Sequence, residues 1–188
     1  ENVAKEAGLT REACDALVVR RYEQYEDALA NEREFQKRYM FPAEVKVNRK
    51  KTLLLEADEG VTPSNAEGLA KLRPVLPEGV HTFGAQTHPA DGNSSMIVTT
   101  QEKAKELSAD PSLPIQVIAY GFAREKKGYM AAAPVPATNM ALENAGLSIG
   151  DMNVIKSHNP FIVNDINFAK QFGIDVNDMN NYGCSKNY

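Results

Sequence analysis

Apolar residues recur at steps of three and four through Cys14, Leu17, Val18, Tyr22, Tyr25 and Leu29, with charged residues between them. That period puts them on one face of a helix, and Thr10 stands where a side-chain oxygen caps the first turn. The mixed-sign run from Glu32 to Lys37 reads as a solvated helix face or loop. Ala43 to Val47 and Lys51 to Ala57 then read as two short strands around the basic turn Asn48-Arg49-Lys50-Lys51. Such a turn is either simply solvated or meets an anionic ligand. Breaker-rich stretches at Gly60 to Asn65 and Pro77 to Gly79 frame a short helix, Ala66 to Leu72, stopped by Pro74.

From Thr82 to Asn93 the chain is too rich in Gly, Pro and small polar residues for regular structure, a composition typical of ligand-holding loops. It leads into the apolar Met96-Ile97-Val98. Gln101 to Leu107 reads as a helix, Pro114 to Phe122 as a buried strand, and Ala137 to Ala145 as a helix with Pro136 near its start and Gly146 at its stop. Asp151 to Ser157 reads as a strand ending in His158. Asn159 then stands at the N-cap and Pro160 at the first helical position, while Phe161, Ile162, Ile166, Ala169 and Phe172 form a buried face up to Gly173. Strands alternating with helices predict an α/β layered fold from about residue 90 onward. The first 85 residues read as an α-rich insertion carrying a small hairpin.

Composition narrows the function classes. With 188 residues, 43% of them apolar, the chain can bury roughly 70% of its unfolded surface in one or two lobes. A net charge of −4 offers no overall positive field for a phosphate backbone, so nucleic-acid binding is not expected. The longest nearly apolar stretches, such as Ile115 to Ala123, fall short of the roughly 20 residues that span a bilayer. Cys14 and Cys184 lie 170 positions apart and form neither a disulfide framework nor a zinc knuckle, which fits a reducing compartment. His81, His88 and His158 share no helical spacing and no His-Glu-x-x-His context, so no metal site is expected. The chain opens on Glu1-Asn2-Val3-Ala4-Lys5, which reads like the inside of a helix, and both ends read as cut ends.

His158 is the leading candidate for chemistry. In open α/β sheets ligands bind outside the carboxyl ends of strands, where helix N-termini present unpaired N–H groups. A histidine there either donates an N–H to a carbonyl oxygen that becomes an oxyanion, or merely satisfies a backbone carbonyl at the strand end. His88 reads as a solvated or loop-stabilising residue and Asp91-Gly92 as a turn. Cys14 reads as a small core residue. Cys184 sits in a glycine-containing loop that leaves exposure open, but only Lys186 near it in sequence would lower its pKa, so it reads as an inert thiol ahead of a nucleophile.

Taken in order, these segments resemble an internal piece of a thiolase, the family of acetyl-CoA acetyltransferases and 3-ketoacyl-CoA thiolases. Glu1-Asn2-Val3-Ala4 with Thr10-Arg11 resembles the family's Glu-Asn-Val-Ala and Ser/Thr-Arg stretch, and Lys71-Leu72-Arg73-Pro74 its Lys-Leu-Arg-Pro. Thr82-Phe83-Gly84-Ala85-Gln86-Thr87 with Asp91-Gly92 stands in place of its Thr-Ala-Gly-Asn-Ala-Ser and Asp-Gly. Met130, Pro134-Val135-Pro136-Ala137, Ala141-Leu142-Glu143 and Ala145-Gly146-Leu147 match a further block. His158-Asn159-Pro160-Phe161 replaces the family's Asn-Glu-Ala-Phe and is closer to the His-Asp-Cys-Phe of sterol-carrier-type thiolases.

The resemblance implies a partial thiolase-like layered fold, with a loop domain over residues 1–85, the end of the N-terminal half over 86–113 and the first part of the C-terminal half over 114–188. It implies an acyltransferase acting on acyl-CoA thioesters by Claisen condensation or by thiolysis of 3-ketoacyl-CoA. His158 would then be the oxyanion-hole donor, and Leu72, Gly84, Thr87, Met130 and Phe161 would line the path of pantetheine and coenzyme A. Phe83 and Ala85 depart from the residues usual in the acyl pocket. Neither Cys14 nor Cys184 aligns with a family cysteine, and the family's Gly-His-Pro would follow Tyr188 directly, so the 188 residues alone are expected to be inactive. The rival expectation is a noncatalytic, thiolase-like CoA-binding or scaffold subunit of a split or multi-chain complex. The family also implies no bound metal or prosthetic group, acyl-CoA and CoA as partners, and a homodimer or homotetramer, or a companion chain supplying the missing segments. A cytoplasmic or organelle-matrix location follows from the same resemblance.

Overall fold

A computed structural model describes residues 1–87, 90 and 92–184. The readings of His88, Asp91 and Lys186 fall outside the described residues. The elements are α1 (Asn2–Glu6), α2 (Arg11–Lys37), β1 (Ala43–Asn48), β2 (Lys51–Leu55), α3 (Ala66–Ala70), α4 (Gln101–Leu107), α5 (Pro134–Ala145) and α6 (Val163–Phe172). Short 3-10 turns occupy Phe83–Ala85, Met130–Ala132, Ile149–Asp151 and Val176–Asp178.

The expected helix punctuation is largely present. Thr10 Oγ1 accepts from the Ala13 N–H at 3.2 Å, and the side-chain oxygens of Asn65 and Thr100 cap α3 and α4 in the same way. Gly146 and Gly173 end α5 and α6 with φ of 67° and 65°, a left-handed turn in which a Cβ is strained. Helix α2 breaks at Ala30–Arg33, where Asn31, Glu32 and Arg33 take positive φ, so the mixed-sign run begins at a bend. Strands β1 and β2 pair antiparallel, Ala43 opposite Leu55 and Lys46 opposite Thr52.

Helix α2 lies against α3 and the Phe83–Ala85 turn, while α6 touches α1, α5 and the Met130–Ala132 turn. The central cluster joins Cys14, Leu17 and Val18 of α2 to Leu69, Ala85 and Ile162. A second holds Val3 and Ala4 against Val163, and a third packs Phe168 and Ala169 with Met179. Segments far apart in sequence thus converge on the residues that follow His158.

Three expectations are corrected. Pro114 to Phe122 carries no ladder and is exposed, with Ile115, Val117, Ile118, Tyr120 and Phe122 all open to solvent; Met96, Ile97 and Val98 are exposed likewise. Asp151 to Ser157 also carries no ladder and begins in a 3-10 turn. A strand needs a neighbouring strand for its ladder of N–H and C=O groups, and none of these stretches is paired with one among the described residues. Finally, α6 starts at Val163, so Asn159 is not its N-cap.

Candidate active site

The loop after α3 and the segment after His158 are zipped together. Thr87 N–H donates to the Pro160 carbonyl and Ile162 N–H to the Ala85 carbonyl, each at 2.8 Å, with Gln86 bridging Phe161 antiparallel. This short pairing delays α6 to Val163, because residues 160–162 are committed to a neighbouring strand-like loop. Beside it lies a cleft of about 370 Å³ between Thr62–Asn65, Gly68, Leu69 and Leu72 on one side and Phe83, Gly84 and Gln86 on the other. Gly84 has a specific steric role here. A Cβ on it would stand 2.4 Å from Leu69 Cδ2 and 3.0 Å from Leu72 Cδ1, so the absent side chain lets both leucines close on the backbone.

Of the residues singled out from sequence, Leu72 and Gly84 line this cleft, and Thr87 and Phe161 lie in the zipper beside it. Met130 is exposed on its 3-10 turn against α6 and is not in the lining of the cleft. His158 is exposed, whereas the residue after it is fully buried. Phe161 and the His81 ring pack in a T-shaped pair, their centroids 6.1 Å apart. His81 is buried, with Glu1 Oε1 at 3.7 Å from Nδ1, and neither ring nitrogen has a hydrogen-bond partner among the described residues. Burial therefore pushes its pKa below 6.5, against the opposing pull of Glu1. Glu1 also accepts from the N–H groups of His81 and Val80; burial works against its charged form, but these bonds hold its carboxyl below the usual value.

Underneath His158 is a polar cluster that sequence reading missed. Asp165 Oδ2 accepts from Arg21 Nε at 3.0 Å and Nη2 at 2.8 Å, and from Asn159 Nδ2 and Asn180 Nδ2 at 2.7 Å each. Its Oδ1 accepts from Ser157 Oγ. Arg21 and Asp165 are both fully buried, and Gln24 joins the cluster by accepting from Arg21 Nη1. A signal for the pair was present. Arg21 falls four residues after Leu17 and four before Tyr25 on the apolar face of α2, and Asp165 lies between Ile162 and Ile166 on the packed side of α6. Opposite charges on two faces that pattern as buried are candidates to pair with each other.

Both cysteines are buried. Cys14 belongs to the core, and desolvation pushes its thiol up to about 11. Cys184, for which the sequence left exposure open, is buried beside Asn159, whose Nδ2 is 3.8 Å from Sγ. Lys156 closes this corner by donating to the carbonyls of Asn181 and Gly183, and burial pushes its pKa down. Among the described residues, no group of three His, Cys, Asp or Glu could hold a metal ion, and no helix is long and apolar enough to cross a membrane.

The family model described as "Thiolase, N-terminal domain" matches residues 1–102, and that described as "Thiolase, C-terminal domain" matches residues 113–186. The chain belongs to the thiolase family. It is 33% identical over 182 residues to a 3-ketoacyl-CoA thiolase of Vibrio vulnificus (strain YJ016), covering 95% of this chain and 46% of that protein. It is 32% identical to an acetyl-CoA acetyltransferase of Escherichia coli (strain K12), covering 96% and 45% respectively. The structure resembles human mitochondrial 3-ketoacyl-CoA thiolase at a TM-score of 0.85 and 27% identity, and Bacillus anthracis acetyl-CoA acetyltransferase at 0.87 and 25%. Each of these structural matches covers 99% of this chain and 46% of the other. The fold is thus a partial thiolase fold of mixed helix and sheet, and this thiolase chain spans about half the length of the curated relatives it matches.

Proposed function

We propose that the polypeptide carrying this chain is an acyltransferase on acyl-CoA thioesters, joining two acyl units or cleaving 3-ketoacyl-CoA with CoA. The observation that carries this reading is the zipper of residues 85–87 against 160–162, which ties the Gly84 wall of the cleft to the segment immediately after His158. In thiolysis, the bond between the α- and β-carbons of the 3-ketoacyl chain breaks, the β-carbonyl carbon gains the sulfur of CoA and ends as a shorter acyl thioester, and the α-carbon takes up a proton and leaves as acetyl-CoA. A carbonyl oxygen gains negative charge on the way. An imidazole N–H aimed at that oxygen stabilises the transition state more than the ground state, which is the role assigned to His158. Leu72, Gly84 and Thr87 would take the pantetheine arm, with Met130 and Phe161 shaping the acyl cavity, and the chemistry would need no resident metal or prosthetic group.

His158→Ala in the complete polypeptide is expected to lower kcat for thiolysis by about 10²- to 10³-fold, the usual cost of a lost oxyanion donor. Rates within twofold of the parent would remove His158 from the mechanism. The rival reading is a noncatalytic, thiolase-like CoA-binding or scaffold subunit of a split or multi-chain complex, in which the buried thiols of Cys14 and Cys184 play no chemical part. Saturable CoA binding without acyl transfer by the complete polypeptide would select it.

A further inference from the structure

His158 is exposed, yet the residues on either side of it are fixed from below by one carboxylate. Ser157 Oγ, before it, donates to Asp165 Oδ1, and Asn159 Nδ2, after it, donates to Oδ2. Asn180 completes the clamp. Its Nδ2 donates to Asp165 and to Ser157 Oγ, while its Oδ1 accepts from the Ser157 backbone N–H at 2.8 Å. Asp165 is oriented in turn by two nitrogens of Arg21, which comes from the far end of the chain on α2 and also donates to the Val176 carbonyl. A core-filling role would be served as well by apolar side chains, since replacing a buried ion pair with hydrophobic residues is often neutral or stabilising. What an apolar pair cannot do is accept hydrogen bonds from both flanks of one exposed histidine.

We infer that Asp165, oriented by Arg21, is a positioning residue that fixes the backbone at His158 through Ser157 and Asn159. The inference rests on the acyltransferase reading above, because it assigns Asp165 a function only through His158. A displacement of about 1 Å in a catalytic group costs on the order of 10²-fold in rate, so the clamp acts on kcat and leaves CoA binding along Leu72 and Gly84 unchanged.

The test is steady-state thiolysis of 3-ketoacyl-CoA by the complete polypeptide, using Asp165→Asn, Ser157→Ala and each combined with His158→Ala, at a temperature where circular dichroism shows every assayed variant folded. Asp165→Asn is expected to lower kcat about 10- to 100-fold with KM for CoA within twofold, and Ser157→Ala to lower it less, in the same direction. In the His158→Ala background neither change should cost anything further, because the group they position is gone. If Asp165→Asn does not fold, Ser157→Ala alone decides. Folded variants with kcat within twofold of the parent, or effects that simply multiply with His158→Ala, overturn the inference. A parent without thiolysis, or one indifferent to His158→Ala, overturns the acyltransferase reading itself and the inference with it. An active parent that depends on His158 but not on Asp165 or Ser157 overturns the inference alone.

Discussion

The interface between α2 and α6 and the stretch from Pro114 to Phe122 are both rich in apolar residues, yet they end in opposite environments. At the first, Leu17, Val18 and Ile162 are sealed from water and the Arg21–Asp165 pair is fully buried. In the second, Ile115 is 93% exposed and Ile118 68%. The difference lies in what each backbone requires. A helix satisfies its own N–H and C=O groups and needs only one stripe covered. A buried strand needs neighbours for its hydrogen bonds and cover for both faces. The β1–β2 hairpin forms because it carries its own partner within a few residues. Apolar composition therefore marks a demand for burial, and the tertiary context decides whether that demand is met.

The sharpest way to break the comparison is at its buried end. Arg21→Ala strands the Asp165 carboxylate without its cation and should destabilise the 188-residue polypeptide by about 3–5 kcal/mol, read from the urea midpoint. A surface-like loss below 1 kcal/mol would mean that the pair is not desolvated in solution. A matched truncation then compares the two regions directly. Leu17→Ala should cost about 2–4 kcal/mol through lost burial and a residual cavity, whereas Ile118→Ala should stay within about 0.5 kcal/mol. Equal costs would show that the 114–122 stretch is covered after all.

A subtler effect concerns the zipper beside the cleft. The folded-state pKa of His81 lies below 6.5 because burial disfavours the imidazolium, so on acidification the unfolded state takes up the proton first. The stabilisation is complete above pH 6.5 and is lost as pH falls from there toward the depressed folded value. Glu1, also depressed, loses its contribution lower still, below its usual 4.5. Exchange protection at the Thr87 and Ile162 amides, corrected for intrinsic rates, should fall below pH 6.5 in the parent. In His81→Phe, which keeps a ring against Phe161, it should stay flat down to the range where Glu1 titrates. A parent with no decline would contradict the buried neutral imidazole.

Much of the helical frame was legible because its signals are local. Thr10 and Gly173 act within a turn of the residues they terminate, and the steps from Cys14 to Tyr25 report a face that packs whatever its partner is. The blocks from Lys71-Leu72-Arg73-Pro74 to His158-Asn159-Pro160-Phe161 likewise sufficed to point to the thiolase family. Asn159 was misread for an instructive reason. It has the composition of an N-cap next to proline, but the pairing of residues 160–162 with 85–87 moves the helix start and frees its side chain for Asp165.

By itself, then, the sequence determined where α2 begins, where α5 and α6 end, which face of α2 is buried, and that a histidine stands shortly before α6. Only the tertiary structure decided that Cys184 is buried, that the Gly84 loop lies against Phe161, and that Arg21 meets Asp165 beneath that histidine. Those contacts join residues as far as 144 positions apart. Their energies depend on desolvation and hydrogen-bond geometry, which exist only once α2 and α6 have packed together.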